Sequence, residues 1–495
     1  MMEPLRLSMF FMNYQNNDFI YKTVIFFDCF FTFTKNVEKH LKKHYKNVNY
    51  MLKRKIDSYL KDWKQREHKP LIIKGARQIG KTTSIRQFGK SYPSFIEINF
   101  MENPEYKSVF QHGYDPNRII KELSLLNPEF EFIPYQTLIL LDEIQEYPDA
   151  TTSLKFFKED GKYDVICSGS MLGIHYKKVS SISVGYKEDV QMYSMDFEEF
   201  LWANGYNEEN IEFIYSFLKE LKPLPDSIFQ KLSDLFQDYI FCGGMPEIVD
   251  TFIKEKTFSN IFSKQSQLHS DYENDITKYV EGLDWAKVLN VYRHITSQLS
   301  KENHKFQISK LGHGARSREY TGCQEWLKDA GMVNISYCLN ECSFPFSAYE
   351  DYTNYRMYYS DTSLLMATLD DESKKDVRIN RNFRIYSGAI YENLVAEALT
   401  KLGYSLYFYR NKESTIELDF IIRVKNEIIP IEVKANRGRS RSLNAILENP
   451  SIPIHYGVKL THNNIGFDGS KFTIPYFLTF LIKRFFDEYD GIQYE

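Results

Sequence analysis

The sequence predicts an α/β protein in which a parallel sheet wound with helices comes first, a helical stretch follows, and a second α/β unit closes the chain. Three observations carry this. From about residue 69 to 196 short apolar runs alternate with helical patterns, the order that βαβ units need. The run TLILL at 137–141 is hydrophobic without alternation, as a strand covered on both faces must be. Beyond residue 385 strands with period-two alternation return behind an amphipathic helix.

The chain has 495 residues, too many for one ordinary core. Its pattern divides it into an extension (1–50), an amino-terminal core (51–205), a helical subdomain (206–300), a compact unit (301–345), a connector (346–384) and a carboxyl-terminal domain (385–495). Residues 1–50 mix Phe-rich pieces with Asn and Lys and keep no period. They read as an appendage ahead of a second start-like segment at Met51, or as a small docking segment. Met51 opens an amphipathic helix running through Trp63.

Leu71 to Thr83, LIIKGARQIGKTT, reads as a strand, a loop fitting G-x-x-x-x-G-K-[ST] at Gly75, Gly80, Lys81 and Thr82, and a helix start. A phosphate needs several converging backbone N–H groups, and the loop Gly75, Ala76, Arg77, Gln78, Ile79, Gly80, Lys81, Thr82, Thr83 offers them. Lys81 would reach the β/γ oxygens and the Thr82 hydroxyl would ligate Mg²⁺. A plain Gly-containing turn is the competing reading. The second strand is Ser94–Phe100, and the third, Thr137–Glu143, ends in two carboxylates. Asp142 would hold Mg²⁺ through water, and Glu143 would polarise the attacking water; an ordinary helix N-terminus is the alternative. Tyr163–Ser170 is a further strand whose end would lie beside a γ-phosphate, making Ser168 and Ser170 polar sensor candidates, against a plain Ser-Gly turn. Asp189–Met195 supplies the fifth strand.

GARQIGKT, LLDEIQ and CSGS, then MDFEEFLWANG (Met195–Gly205) and GGMPEIV (Gly243–Val249), resemble the prokaryotic AAA-type P-loop ATPases that carry an uncharacterised nuclease-like C-terminal domain. The resemblance covers nearly all of Met51 to Tyr494 and implies ATP and Mg²⁺ as cofactors. Relatives place a Gly-Arg or Gly-Lys pair before the last strand. Here Gly185-Tyr186-Lys187 stands, so no arginine finger is assigned there.

Residues 206–300 are helical, with turns at Pro223-Leu224-Pro225 and Gly243-Gly244. Tyr272–Tyr279 puts charge on a helix that either leans over the nucleotide or forms a solvated face. Within 303–339, a helix over Arg316–Ala330 with Tyr320, Cys323, Leu327 and Ala330 on its apolar face precedes an alternating strand at Met332–Cys338. This resembles a winged helix, and Lys310, Arg316, Arg318 and Lys328 could meet DNA; a protein-protein element fits as well. Tyr349–Thr368 gives aromatic strands and a helix, and Asn380–Arg384 a linker.

In the last domain Glu392 lies on a helix with Ile390, Leu394, Val395, Ala398 and Leu399, and strands follow at Leu406–Tyr409, Leu418–Val424 and Ile429–Ala435. Glu432 and Lys434 share one strand face, and twelve residues separate Asp419 from Glu432, so a hairpin can bring the acids together. Two carboxylates and a carbonyl can hold Mg²⁺ against a phosphodiester while a lysine orients or deprotonates a water. The pattern resembles the PD-(D/E)xK (restriction-endonuclease-like) superfamily: Asp419, Glu432 and Lys434 match its motif and Glu392 its helix acid, with Leu418 where a Pro is expected. A charged edge hairpin is the plainer reading. Arg437, Gly438, Arg439 and Arg441 add a basic stretch that neutralises phosphates or is a solvated loop.

A formal net charge of −4 excludes a uniformly basic surface, so DNA contact would need a local patch. Aromatics at 16% suit filled cores or base stacking. Six scattered cysteines suggest reduced thiols in a cytoplasmic setting, and Cys338 and Cys342 lack a second pair at zinc spacing. The most apolar run, Phe19–Phe33, carries Lys22 and Asp28, which argues for a soluble protein. A homo-oligomer or a protein partner stays open.

Overall fold

The central strands of the amino-terminal sheet alternate their side chains between two separate cores, which is why the run at 137–141 shows no polar face. Leu71, Ile73, Leu138, Leu140 and Ile166 fill one, and Ile72, Ile96, Ile98, Ile139, Leu141 and Val165 the other. The computed structural model describes residues 51–170, 183, 185–301, 304–370, 372–374, 376, 386–411, 415–434, 440–450, 452–489 and 491. The chain divides into units Met1–Met51 and Leu52–Glu495, and every element named here belongs to the second. The expectations for 1–50, for the linker at 380–384 and for the basic stretch at 437–439 lie outside the described residues.

The amino-terminal part runs α1 (Lys55–Gln65), β1 (Leu71–Gly75), α2 (Lys81–Gly89), β2 (Ser94–Asn99), α3 (Pro116–Leu126), β3 (Thr137–Asp142), α4 (Ser153–Asp160), β4 (Asp164–Ser170) and β5 (Glu188–Gln191). All five strands are parallel, in the order β2-β3-β4-β1-β5. The chain therefore leaves β1 for the far edge and returns, opening a crevice at the carboxyl ends of β1, β4 and β3, where open α/β sheets hold ligands. Helix α1 buries Ile56, Leu60 and Trp63, as its periodicity requires.

Helices α5 (Phe197–Ala203), α6 (Glu208–Lys219), α7 (Asp226–Cys242), α8 (Pro246–Glu255), α9 (Ile261–Tyr279), α10 (Trp285–Arg293) and α11 (Ile295–Leu299) follow. Next come α12 (Cys323–Asp329), β6 (Val333–Leu339), β7 (Glu350–Tyr359), α13 (Thr362–Ala367), α14 (Ser387–Lys401), β8 (Tyr407–Arg410), β9 (Glu417–Val424), β10 (Glu427–Lys434), α15 (Arg441–Leu447), β11 (Gly457–Thr461), β12 (Gly466–Phe467), β13 (Lys471–Pro475) and α16 (Ile482–Glu488). Strands β6 to β13 form one eight-stranded sheet in the order β12-β13-β11-β10-β9-β8-β6-β7.

That sheet redraws the expected boundaries. The strand expected as a wing is β6, which pairs antiparallel with β7 and parallel with β8, so 301–345 and 346–384 each give a strand to the carboxyl-terminal sheet. The cause is burial on both faces of β6: Ser336 is as buried as Leu339, so the alternation at 332–338 does not mark a solvent face. The helix expected over 316–330 is a 3₁₀ turn at Ser317–Glu319 and the shorter α12, parted at Gly322, whose φ of 88° breaks the helix. Among the described residues no helix is long and apolar enough to cross a membrane. Cys167, Cys242, Cys323, Cys338 and Cys342 are buried free thiols.

Candidate functional site

The loop after β1 is shaped by close approach. A Cβ on Gly75 would lie 2.4 Å from the Met192 carbonyl oxygen and 2.5 Å from Ile79 Cδ1, so only glycine lets the chain pass β5 there. Gly80 caps α2 with a left-handed φ of 90°, which leaves the first amides of α2 directed at the loop. Arg54 braces the turn from behind: its guanidinium donates to Ile79 O at 2.7 Å and Tyr193 O at 2.7 Å and pairs with Glu199 at 3.0 Å.

Lys81 is only 8% exposed, and its Nζ donates to Gly75 O at 3.0 Å and Ala76 O at 2.7 Å, spanning the mouth of the loop. Burial lowers its pKa to about 8, against the attraction of Glu143 and Asp142, while the Arg77 charge lowers it further. The Thr82 hydroxyl donates to Asp142 at 3.1 and 3.3 Å, so the start of α2 and the end of β3 bring together the two oxygens expected to serve magnesium. These are hard oxygen donors, and the site fits the ion. Asp142 is 2% exposed; burial raises its carboxyl above the ordinary range, Glu143 adds to that, and the Ser168 and Thr82 hydroxyls pull it back. Ser168 is as buried as Asp142, though its Oγ makes no well-formed hydrogen bond.

Glu143 follows in a left-handed turn, φ 53°, and accepts a hydrogen bond from Gln145 Nε2. Gln145 Oε1 in turn accepts the Ser170 N–H at 3.1 Å, which ties Glu143 to the end of β4. Asn99, at the end of β2, reaches Asp142 Oδ2 at 3.5 Å. Asn99 carries no motif signal in the sequence, and Gln145, though it ends LLDEIQ, is given no role there.

Helix α9 leans on the loop. Gln78 Nε2 donates to Asp271 at 3.0 Å, the Tyr272 hydroxyl donates to Arg77 O at 3.0 Å, and the Arg77 guanidinium pairs with Asp275 at 2.5 Å and with the Tyr279 hydroxyl at 3.2 Å. Positions 271, 275 and 279 lie about one helical turn apart and 272 lies three residues before 275, so one face of α9 makes all of these contacts.

The second cluster lies on the carboxyl-terminal sheet. β9 and β10 pair with Phe420 opposite Ile431, which sets Asp419 beside Glu432, and Asp419 Oδ2 accepts the Val433 N–H at 2.8 Å. Lys434 Nζ pairs with Glu432 at 2.8 Å, while Glu432 Oε2 is buried without a partner. Glu392 on α14 accepts from the Tyr358 hydroxyl at 3.1 Å and lies 3.3 Å from His304 Nε2. Sequence reasoning brings Glu392, Asp419, Glu432 and Lys434 together and misses the group at their centre, Arg356 on β7. Arg356 is 1% exposed; its guanidinium lies 3.4 Å from Glu392 and 3.6 Å from Asp419, pairs with Glu417, and stacks 4.4 Å from the Phe408 ring. Burial, with the Glu392 charge, raises the Asp419 carboxyl to about 7, and Arg356 restrains the rise. The carboxylates suit magnesium chemically. Arg356 stands among them, close to both Glu392 and Asp419.

A parallel sheet in this strand order, with a phosphate-shaped loop after β1 and a buried acid after β3, defines an α/β P-loop fold. Residues 67–201 match the family model of an AAA domain, which supports an AAA-type P-loop ATPase fold for that part of the chain. Residues 233–375 and 387–478 match two domains of unknown function, DUF8612 and DUF4143. Among solved structures, the Walker-type ATPase PABY2304 of Pyrococcus abyssi is 13% identical, with a TM-score of 0.40 over 64% of this chain and 96% of its own. A single-substitution variant of RuvB from Thermotoga maritima is 12% identical, with a TM-score of 0.25 over 57% of this chain and 87% of its own. AMPPCP-bound DnaA of Aquifex aeolicus is also 12% identical, with a TM-score of 0.25 over 55% and 85%. No curated protein matches the chain.

Proposed function

We propose that the protein binds MgATP and hydrolyses it. The observation that carries this reading is the convergence of Lys81, Thr82 and Asp142 on one crevice, with Glu143 held beside it by Gln145. The loop amides and Lys81 cradle the phosphates, and Thr82 and Asp142 fix the ion's place. A magnesium ion held there by Thr82 and Asp142 would supply positive charge to offset that of the phosphates. Glu143 takes a proton from water as the water oxygen bonds to the γ-phosphorus and the bond from that phosphorus to the bridging oxygen of ADP breaks.

For the carboxyl-terminal domain, the PD-(D/E)xK resemblance implies action on or with DNA, cutting included. A nucleotide-dependent switch or scaffold, whose nuclease-like domain binds a partner or DNA without cleaving, is favoured by Arg356, a permanent cation where a metal would have to sit. Two measurements test these readings. Lys81→Ala should abolish ATP turnover. Purified protein with Mg²⁺ or Mn²⁺ and ATP should leave plasmid DNA intact; nicking that Asp419→Ala removes would restore the nuclease.

A further inference from the structure

We propose that Arg77 is the arginine this ATPase supplies in cis to the γ-phosphate, and that Asp275 on α9 latches it away from the phosphate until ATP binds. This rests on the ATPase reading above. Arg77 lies inside the phosphate loop, so its backbone already borders the nucleotide, and the Tyr272 hydroxyl at 3.0 Å fixes that backbone. Its guanidinium meets Asp275 at 2.5 Å and the Tyr279 hydroxyl at 3.2 Å, and the Tyr279 hydroxyl also reaches Glu146 at 3.4 Å, in the turn that Glu143 begins. The Tyr279 hydroxyl therefore links the guanidinium to the turn that carries Glu143 and Glu146. It is near enough to Lys81 for its charge to be felt there.

The other arginine at the loop cannot serve. Arg54 is 5% exposed, and its three nitrogens are committed to Ile79 O, Tyr193 O and Glu199. Arg77 differs in keeping 28% of its side chain exposed, and in having as principal partner a single carboxylate, which a phosphate can displace. A γ-phosphate offers the same fork of acceptors with more charge, and guanidinium binds it in the bidentate manner it uses for carboxylates. Transfer of the guanidinium from Asp275 to the γ-phosphate would neutralise the negative charge that builds on the equatorial oxygens as the water bond forms and the ADP bond breaks. Asp275, itself buried, would be left without its partner, so α9 would feel which nucleotide is bound.

The test is single-turnover ATP hydrolysis alongside nucleotide affinity. Arg77→Gln should lower the hydrolysis rate by about a thousandfold while ATP affinity stays within about threefold, and should lose capture of ADP with aluminium fluoride. Asp275→Asn should raise the rate, Tyr279→Phe should raise it less, and Asp275→Asn combined with Arg77→Gln should be as slow as Arg77→Gln alone. Hydrolysis by Arg77→Gln within threefold of wild type overturns the proposal, as does equal loss of binding and hydrolysis in Arg77→Gln and Asp275→Asn. If wild type binds ATP but never turns it over, the ATPase reading fails with it. If Lys81→Ala abolishes turnover and Arg77→Gln does not, only the Arg77 proposal fails.

Discussion

Lys81 offers the sharpest quantitative test of the nucleotide site. Its ammonium is held in a loop built for phosphate, with two carbonyl oxygens in place of hydration, and burial lowers its pKa from 10.5 to about 8. A drop of that size corresponds to about 3 kcal/mol of disfavoured charge in the free protein. A triphosphate in the loop returns the ammonium to its ordinary range. Binding should then take up a proton wherever the free lysine is neutral: about 0.1 proton at pH 7, about 0.5 at pH 8 and about 0.9 at pH 9. The sign follows from the free protein carrying fewer protons than the complex above pH 8. ATP affinity should therefore fall about tenfold between pH 7 and pH 9. Titration calorimetry in two buffers of different ionisation enthalpy reads the proton count directly. Lys81→Arg, whose guanidinium stays charged, should bind more weakly but with no uptake at pH 9. Tight binding to wild type at pH 9 with less than about 0.2 proton taken up would refute the burial argument.

Three further outcomes follow from the same geometry. Gly75→Ala forces a methyl to within 2.4 Å of the Met192 carbonyl, so it should abolish ATP binding and cost about 1–3 kcal/mol of stability, measured by fluorescence titration and calorimetric melting. Gln145→Ala frees Glu143 from its tie to Ser170 and should slow hydrolysis about ten- to a hundredfold with ATP affinity unchanged, measured by phosphate release. Arg356→Met strands the carboxylates of Glu392, Glu417 and Asp419 and should cost about 3–5 kcal/mol at pH 8 by denaturant unfolding. Because the folded-state carboxyl of Asp419 is raised, the folded state binds the extra proton between its unfolded value and about pH 7, so the Arg356→Met deficit should shrink as pH falls toward 5.

The proposed nucleotide site is legible in the sequence because its chemistry is local. Gly75, Gly80, Lys81 and Thr82 sit within eight residues, and Asp142 and Glu143 end an apolar run that can only be a central strand. What the sequence could not show is what reaches the loop from a distance. Asp275 and Tyr279 lie some two hundred residues from Arg77, and an Asp and a Tyr on a charged helix look the same whether they face water or a guanidinium. Arg54 is similar: it lies in a Lys/Arg-rich start, LKRK, that reads as solvated, yet it is buried behind Ile79.

The carboxyl-terminal cluster shows the limit from the other side. Alternation correctly placed Glu432 and Lys434 on one face and Asp419 across from them, since a hairpin register follows from period two once the turn is fixed. Arg356 escapes because the sequence pattern assigns β7 to a connector, and a lone arginine among tyrosines in NYRMYY carries no signal of its own. Its burial becomes intelligible only with the eight-stranded sheet assembled, where β7 ends one edge and α14 brings Glu392 to it. Four carboxylates, Glu392, Glu417, Asp419 and Glu432, then face two permanent cations, Arg356 and Lys434. An acidic motif in sequence therefore does not by itself establish a metal site: the same acids can be neutralised by a cation from a strand that the motif does not include, and only the packing decides between the two.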